Sequence, residues 1–245
     1  MAYGGGIATF QMKTVGILGG IGPESTVEYY RWMIAVYRDR RRDGSYPSIL
    51  INSINLQRLV DLVEAGDHEG MVEYLAGGIR ALAKAGAELG LIAANTPHIV
   101  FEGVRRESPI PLISIVEAAR DAAVSLGLRR PGLFGTRFTM QGGFYQEVFA
   151  AAGMTIVVPT EEEQAVIHER YMNELVKGIF LPETRERLAA IAGDLKARTG
   201  MDGLILGGTE LPLILRDATI HGVPALDTTR IHVDAAMEQA LTEER

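Results

Sequence analysis

Short apolar runs, most of them closed by glycine, alternate along this chain with longer stretches whose apolar positions recur every three or four residues. The first pattern marks a strand buried on both faces, the second an amphipathic helix. Residues 13–20, KTVGILGG, predict a buried parallel strand. PESTVEYYRWMIAVYRDRRR predicts the helix after it, with Pro23 and Glu24 suited to its first turn. SILINSIN predicts a second strand, EYLAGGIRALAKAG a second helix and LGLIAA a third strand. FEGVRRES predicts a short helix and IPLISI a fourth strand. Strands and helices alternating at this spacing form βαβ units, so the predicted class is α/β with mainly parallel sheets.

Near residue 130 the pattern restarts. RPGLFGT predicts a strand ending in Gly-Thr, QGGFYQEVFAAAG a helix and MTIVVP a strand. EEEQAVIHERYMNELVKG and PETRERLAAIAGDLKARTG predict helices. DGLILGG and VPALDT predict strands, and HVDAAMEQALTE a final helix. Gly135 stands 116 positions after Gly19, and Gly208 stands 114 after Ala94. A near-constant offset points to a duplicated α/β unit, although buried strands also resemble one another by composition alone. Ligands of open α/β sheets sit beyond the carboxyl ends of the strands. The strand ends here carry Gly, Thr or Asn, and two such ends face to face would enclose a cleft.

Composition narrows the partners. The 245 residues suffice for one large or two small domains, and 47% hydrophobic with 22% charged residues is ordinary for a globular protein. A formal net charge of -7 argues against nucleic acid, while a small anion needs only a few converging cations. The chain has no cysteine, which excludes disulfides, zinc–thiolate sites and thiol catalysis. No apolar run reaches the roughly 18 residues of a membrane span. MAYGGGIATFQ makes a poor signal peptide, so residues 1–11 read as an N-terminal extension or tag and the cytoplasm as the default location.

The chemistry-bearing positions are ambiguous when taken singly. GILGGIGPES, residues 16–25, is a glycine-rich strand-to-helix turn that either holds an anion on backbone N–H groups or is simply tight. It matches neither the dinucleotide fingerprint nor the P-loop. Arg58 can clamp a carboxylate with two hydrogen bonds, but alone it reads as a solvated arginine at a helix start. Lys177 sits near a helix C-terminus, where a cation is favourable anyway. His98, after Asn95-Thr96-Pro97, is either a general base or a structural histidine satisfying backbone groups. Glu210 falls in the first turn of a helix, where capping is the default role. His68, His168, His221 and His232 are scattered, with no pair at metal-motif spacing, so no metal site is expected. G-x-S-x-G does not occur.

Taken together, GILGGIGPESTVEYY, AANTPH, LFGTRFTMQGGFY, VPTEEEQAVIHERYMNELVKGIF and LGGTELPL resemble, in order, the motifs of the cofactor-independent aspartate/glutamate racemase family. The likeness runs from about Lys13 to the C-terminal helix. It is greatest to the broad-specificity and L-aspartate/glutamate subgroup. The resemblance implies two pseudo-symmetric Rossmann-like domains, residues 12–112 plus 227–245 and residues 113–226, with the active site in the cleft between them. It implies a small amino acid or dicarboxylate ligand, no cofactor and a homodimer. Arg58 and Lys177 fall at the cations that hold substrate carboxylates in such enzymes. Asn95, Thr96, Thr136, Thr139 and Thr209 match polar pocket positions, and Gly20 belongs to the opening turn, whose N–H groups would face the ligand.

One departure decides the mechanism. The family's two cysteines, one on each face of the substrate carbon, belong at Ala94 and Gly208. Two-thiol racemisation is therefore impossible here, because an amino-acid α-proton needs a placed base. Three readings stay open. The first is a cysteine-free isomerase, lyase or decarboxylase that keeps the carboxylate pocket, with Glu210, His98 and Glu24 as candidate acids and bases. The second is a binding or regulatory protein without catalysis. The third is a racemase inactivated by replacement of its thiols.

Overall fold

A computed structural model describes residues 12–242. Residues 1–11, read above as an extension, and residues 243–245 lie outside the described residues. The first half runs β1 (Val15–Gly19), α1 (Pro23–Arg41), β2 (Ile49–Ser53), α2 (Leu56–Glu64), α3 (His68–Lys84), β3 (Leu89–Ile92), α4 (Phe101–Glu107), β4 (Leu112–Ile113) and α5 (Ile115–Ser125). The second runs β5 (Pro131–Gly135), α6 (Arg137–Gln141), α7 (Phe144–Ala150), α8 (Glu161–Asn173), α9 (Pro182–Thr199), β6 (Gly203–Gly207), α10 (Leu211–Ile214), β7 (Thr219–Ile220), β8 (Val223–Asp227) and α11 (Thr228–Ala240).

The strands form two sheets, ordered β2-β1-β3-β4 and β5-β6-β8-β7. All pairings are parallel except β7 with β8. The α/β class with parallel sheets is therefore as the periodicity predicts. In each sheet the opening strand lies beside the strand that leads to Ala94 or Gly208: β1 beside β3, and β5 beside β6. Every residue of β1, β3, β5 and β6 is buried, which is why these segments are continuous apolar runs without alternation. The terminal helix α11 turns back to the first sheet, where Val233, Ala236, Met237 and Ala240 pack with Val15, Ile17, Tyr29 and Met33.

Side-chain caps set several helix starts. Asn55, Asp67, Ser114, Thr136 and Asp227 each accept a backbone N–H from the first turn of the helix they precede. Thr160 and Glu163 form a reciprocal capping box on α8. Two predicted elements differ. MTIVVP is no full strand: Thr155, Val157 and Leu133 exchange backbone bonds along β5, but only the Gly132–Val157 bridge forms. QGGFYQEVFAAAG is not one helix, because Gly143 takes a left-handed φ of 79° between α6 and α7. Among the described residues no helix is long and apolar enough to cross a membrane.

Two buried histidines tie the first half together. His232 accepts or donates at Nδ1 with Tyr29 Oη (2.8 Å) and reaches the Ile113 carbonyl through Nε2 (2.9 Å). His98 donates from Nδ1 to the Ala94 carbonyl (3.0 Å) and accepts the Ile115 N–H at Nε2 (3.2 Å). Burial holds both below the ordinary histidine range, His232 down to about 4. The unfolded chain therefore takes up protons on these residues before the folded one does. Their contribution is complete above about pH 6.5 and is lost as the pH falls toward 4, on the order of 3 kcal/mol for His232. Glu210, whose folded carboxyl is raised, acts with the opposite sign and softens the fall. Urea midpoints at pH 7 and pH 5 measure this, and equal midpoints would contradict neutral buried histidines.

Candidate active site

The carboxyl ends of β1, β3, β5 and β6 converge on a cavity of about 210 Å³, the size for a small metabolite. Ile21 and Gly22 enter from the turn after β1. Ala94, Asn95, Thr96 and Pro97 come from the turn after β3, Thr136 and Phe138 from the end of β5, and Gly208, Thr209 and Glu210 from the turn after β6. Leu56, Leu59, Val60 and Val63 of α2 and Met172 of α8 add an apolar wall, with Val176 beside them. Ala94 and Gly208, where the resemblance places the two cysteines, thus line one cavity.

Hydroxyls cross from one half to the other at its floor. Thr96 Oγ1 lies 2.9 Å from Thr136 Oγ1 and 3.0 Å from Thr139 Oγ1. Thr136 also caps α6, so its position is set by the helix start. Thr139 is fully buried behind the cavity rather than in its lining. The Asn95 amide accepts from Tyr145 Oη (2.6 Å) and donates to Thr228 Oγ1 (3.2 Å), which pins the turn after β3 to α7 and α11.

Glu210 is the buried carboxyl of the site, while Glu64, also in the lining, is exposed. Glu210 is 1% exposed, and its Oε2 accepts hydrogen bonds from Tyr171 Oη and from Thr209 Oγ1 (3.0 Å). Its Oε1 is buried and has no partner. That oxygen lies against Gly22, where a Cβ would meet it, and the φ of 101° at Gly22 itself favours glycine. Burial raises the Glu210 carboxyl above the usual carboxylate range, opposed by the bonds from Tyr171 and Thr209.

Several sequence candidates lie elsewhere. Arg58 is exposed and stacks on the Tyr74 ring, 4.5 Å from its centroid. Leu56, Leu59, Val60 and Val63 share the cavity face of α2, and helical geometry turns Arg58 about 150° away from that face. Lys177 is exposed in the 3-10 turn Leu175–Lys177, whose Leu175 is buried and whose Val176 meets the cavity. Neither cation lines the cavity. His98 does not line it either, because both ring nitrogens are engaged by backbone, so the structural role replaces the catalytic one. Glu24 is exposed at the start of α1, facing Gly178, and Gly20 donates its N–H to Thr26 Oγ1 (2.9 Å) rather than to the cavity.

His168, Tyr171 and Met172 of α8 line the cavity without having been sequence candidates, as does Glu64 of α2. The i, i+3, i+4 spacing of the α8 residues on one helix face was the available signal. Among the described residues no cluster of His, Cys, Asp and Glu has the arrangement of a metal site.

Paired α/β halves whose strand ends converge on one cavity are the fold of the racemase class. The Asp/Glu/Hydantoin racemase family profile matches residues 18–236, and the chain belongs to that family. The solved structure of an aspartate racemase homologue from Pyrococcus horikoshii OT3 is 35% identical, with a TM-score of 0.80 over 94% of this chain and 100% of that one. Glutamate racemase of Aquifex aeolicus is 28% identical over 192 residues, 70% of each chain. That of Mycobacterium ulcerans is 31% identical over 133 residues, 53% of this chain, so the match spans 46% of that relative's length.

Proposed function

We propose that this protein is a cysteine-free carbon-acid enzyme. It binds a small carboxylic acid in the cavity between the two halves and moves a proton at the carbon next to the carboxyl group, with Glu210 as proton carrier. The observation that carries this is the Glu210 carboxyl: buried in the cavity wall, with one oxygen unpartnered and its proton held more tightly than usual. A carboxyl so placed keeps its proton to higher pH than an exposed one and is suited to give and take it. The hydroxyls of Thr96 and Thr136 offer the substrate carboxylate donors where charge builds up on an enolate.

The lining also argues for the substrate's other end. Leu56, Leu59, Val60, Val63, Phe138 and Met172 make much of the remaining wall, with Glu64 and His168 also in the lining, and among the described residues no lysine or arginine lines the cavity. The second carboxylate of aspartate or glutamate would lose its hydration there without gaining a cation. An apolar substituent gains burial instead. L-Leucine, L-phenylalanine and phenylacetate are expected to raise Tm in thermal-shift titrations more than L-aspartate and L-glutamate do. Arg58→Ala is expected to alter the apparent affinity by no more than about twofold, as for an exposed substitution. Tighter binding of aspartate, lost in Arg58→Ala, would refute the apolar-substituent reading. Stabilisation by these ligands with no exchange of the α-proton into D2O would instead favour a binding protein.

A further inference from the structure

Gly208 stands where the family resemblance places the second thiol, and the space its side chain would need is occupied. A Cβ on Gly208 would lie 2.9 Å from Cζ and Oη of Tyr171 and closer still to Cε2. The backbone there is not in the left-handed region, so it is the tyrosine, not the turn, that requires glycine. Tyr171 comes from α8, is 6% exposed, lines the cavity beside Ala94 and Gly208, and donates its hydroxyl to Glu210 Oε2.

The geometry points to Tyr171 as a catalytic residue: its phenol takes the place of the second thiol and relays protons between the substrate carbon and Glu210, on one face only. This rests on the carbon-acid reading above. In deprotonation the C–H bond beside the substrate carboxyl breaks, and its electron pair stays on the substrate as an enolate. The proton passes to Tyr171 Oη while Oη releases its own proton to Glu210 Oε2. The phenol stays neutral throughout, which suits a hydroxyl whose ionisation is opposed first by burial and then by the nearby carboxylate. Protonation of the carbon is the reverse. It leaves Glu210 as a carboxylate accepting bonds from Tyr171 and Thr209. On the other face Ala94 carries no proton, so exchange proceeds without inversion.

The test is α-proton exchange in D2O with L-phenylalanine, L-leucine and phenylacetate, followed by NMR, with chiral analysis of the amino acids. Wild-type protein is expected to incorporate deuterium with retained configuration. Tyr171→Phe, which keeps the ring over Gly208, is expected to exchange about 10²–10⁴-fold more slowly while the ligand-induced rise in Tm persists. Fluorotyrosine at position 171, more acidic but of nearly the same shape, is expected to shift the pH profile of the exchange rate. If Tyr171→Phe matches wild type while Glu210→Gln is inactive, the phenol relay is wrong and the carbon-acid reading stands. Inversion accompanying exchange would also overturn the one-face relay. If wild-type protein exchanges none of the three, both the relay and the reading beneath it fall.

Discussion

Replacing Glu210 by glutamine is expected to slow α-proton exchange by about 10²–10⁴-fold, the usual contribution of a positioned acid or base. The substitution is nearly isosteric. An amide oxygen can still accept from Tyr171 and Thr209, so the turn after β6 keeps its hydrogen bonds. What glutamine cannot do is carry a proton. Binding should therefore survive while turnover fails, and a Tm shift with phenylacetate measured beside the exchange rate separates the two. Glu210→Asp withdraws the carboxyl from Tyr171 by one methylene and is expected to fall between wild type and glutamine. In wild-type protein the rate should follow a raised carboxyl titration, because burial lifts Glu210 above the usual range. Full activity in Glu210→Gln would remove this carboxyl from the mechanism.

The second large effect is steric. Gly208→Cys is expected to destabilise the protein by about 1–3 kcal/mol, roughly 2–12 °C in Tm, because a new Cβ meets a ring that cannot easily retreat. Tyr171 is buried and anchored to Glu210, so moving it costs both packing and a hydrogen bond. Restoring both thiols, Ala94→Cys with Gly208→Cys, is accordingly expected to yield no racemase while Tyr171 remains. Adding Tyr171→Ala should relieve the clash without recovering the lost Tm, because it removes a buried ring and its hydrogen bond to Glu210. A stable, racemising double-cysteine protein would show that the cavity is a thiol site merely stripped of its sulfur. The packing at Gly208 argues against that third reading, since a glycine introduced to inactivate a cysteine would leave a hole, not a fitted tyrosine.

The sites that were misplaced from sequence share a cause. Arg58 and Lys177 follow their motifs at the right spacing, but spacing does not say which way a side chain turns. On α2 the apolar positions 56, 59, 60 and 63 claim the cavity face, and Arg58 is left on the opposite one. His98 sits in the expected turn, yet the Ala94 carbonyl before it and the Ile115 N–H at the start of α5 engage its ring nitrogens. Tyr171 and His168 looked like ordinary helix residues in EEEQAVIHERYM, because nothing local distinguishes a tyrosine that meets a glycine 37 positions later.

By itself the sequence determined the α/β class, most of the order of strands and helices, and the paired strand ends at Ala94 and Gly208. Each of these follows from local periodicity or from glycine at strand ends, both of which act over a few neighbouring residues. Only the tertiary structure decided that Glu210 is buried in the cavity wall, that its carboxyl meets Gly22, and that the Tyr171 ring fills the space beside Gly208. Those facts depend on side chains from distant segments excluding water together, and burial and collision are properties of the packed chain, not of any stretch of it.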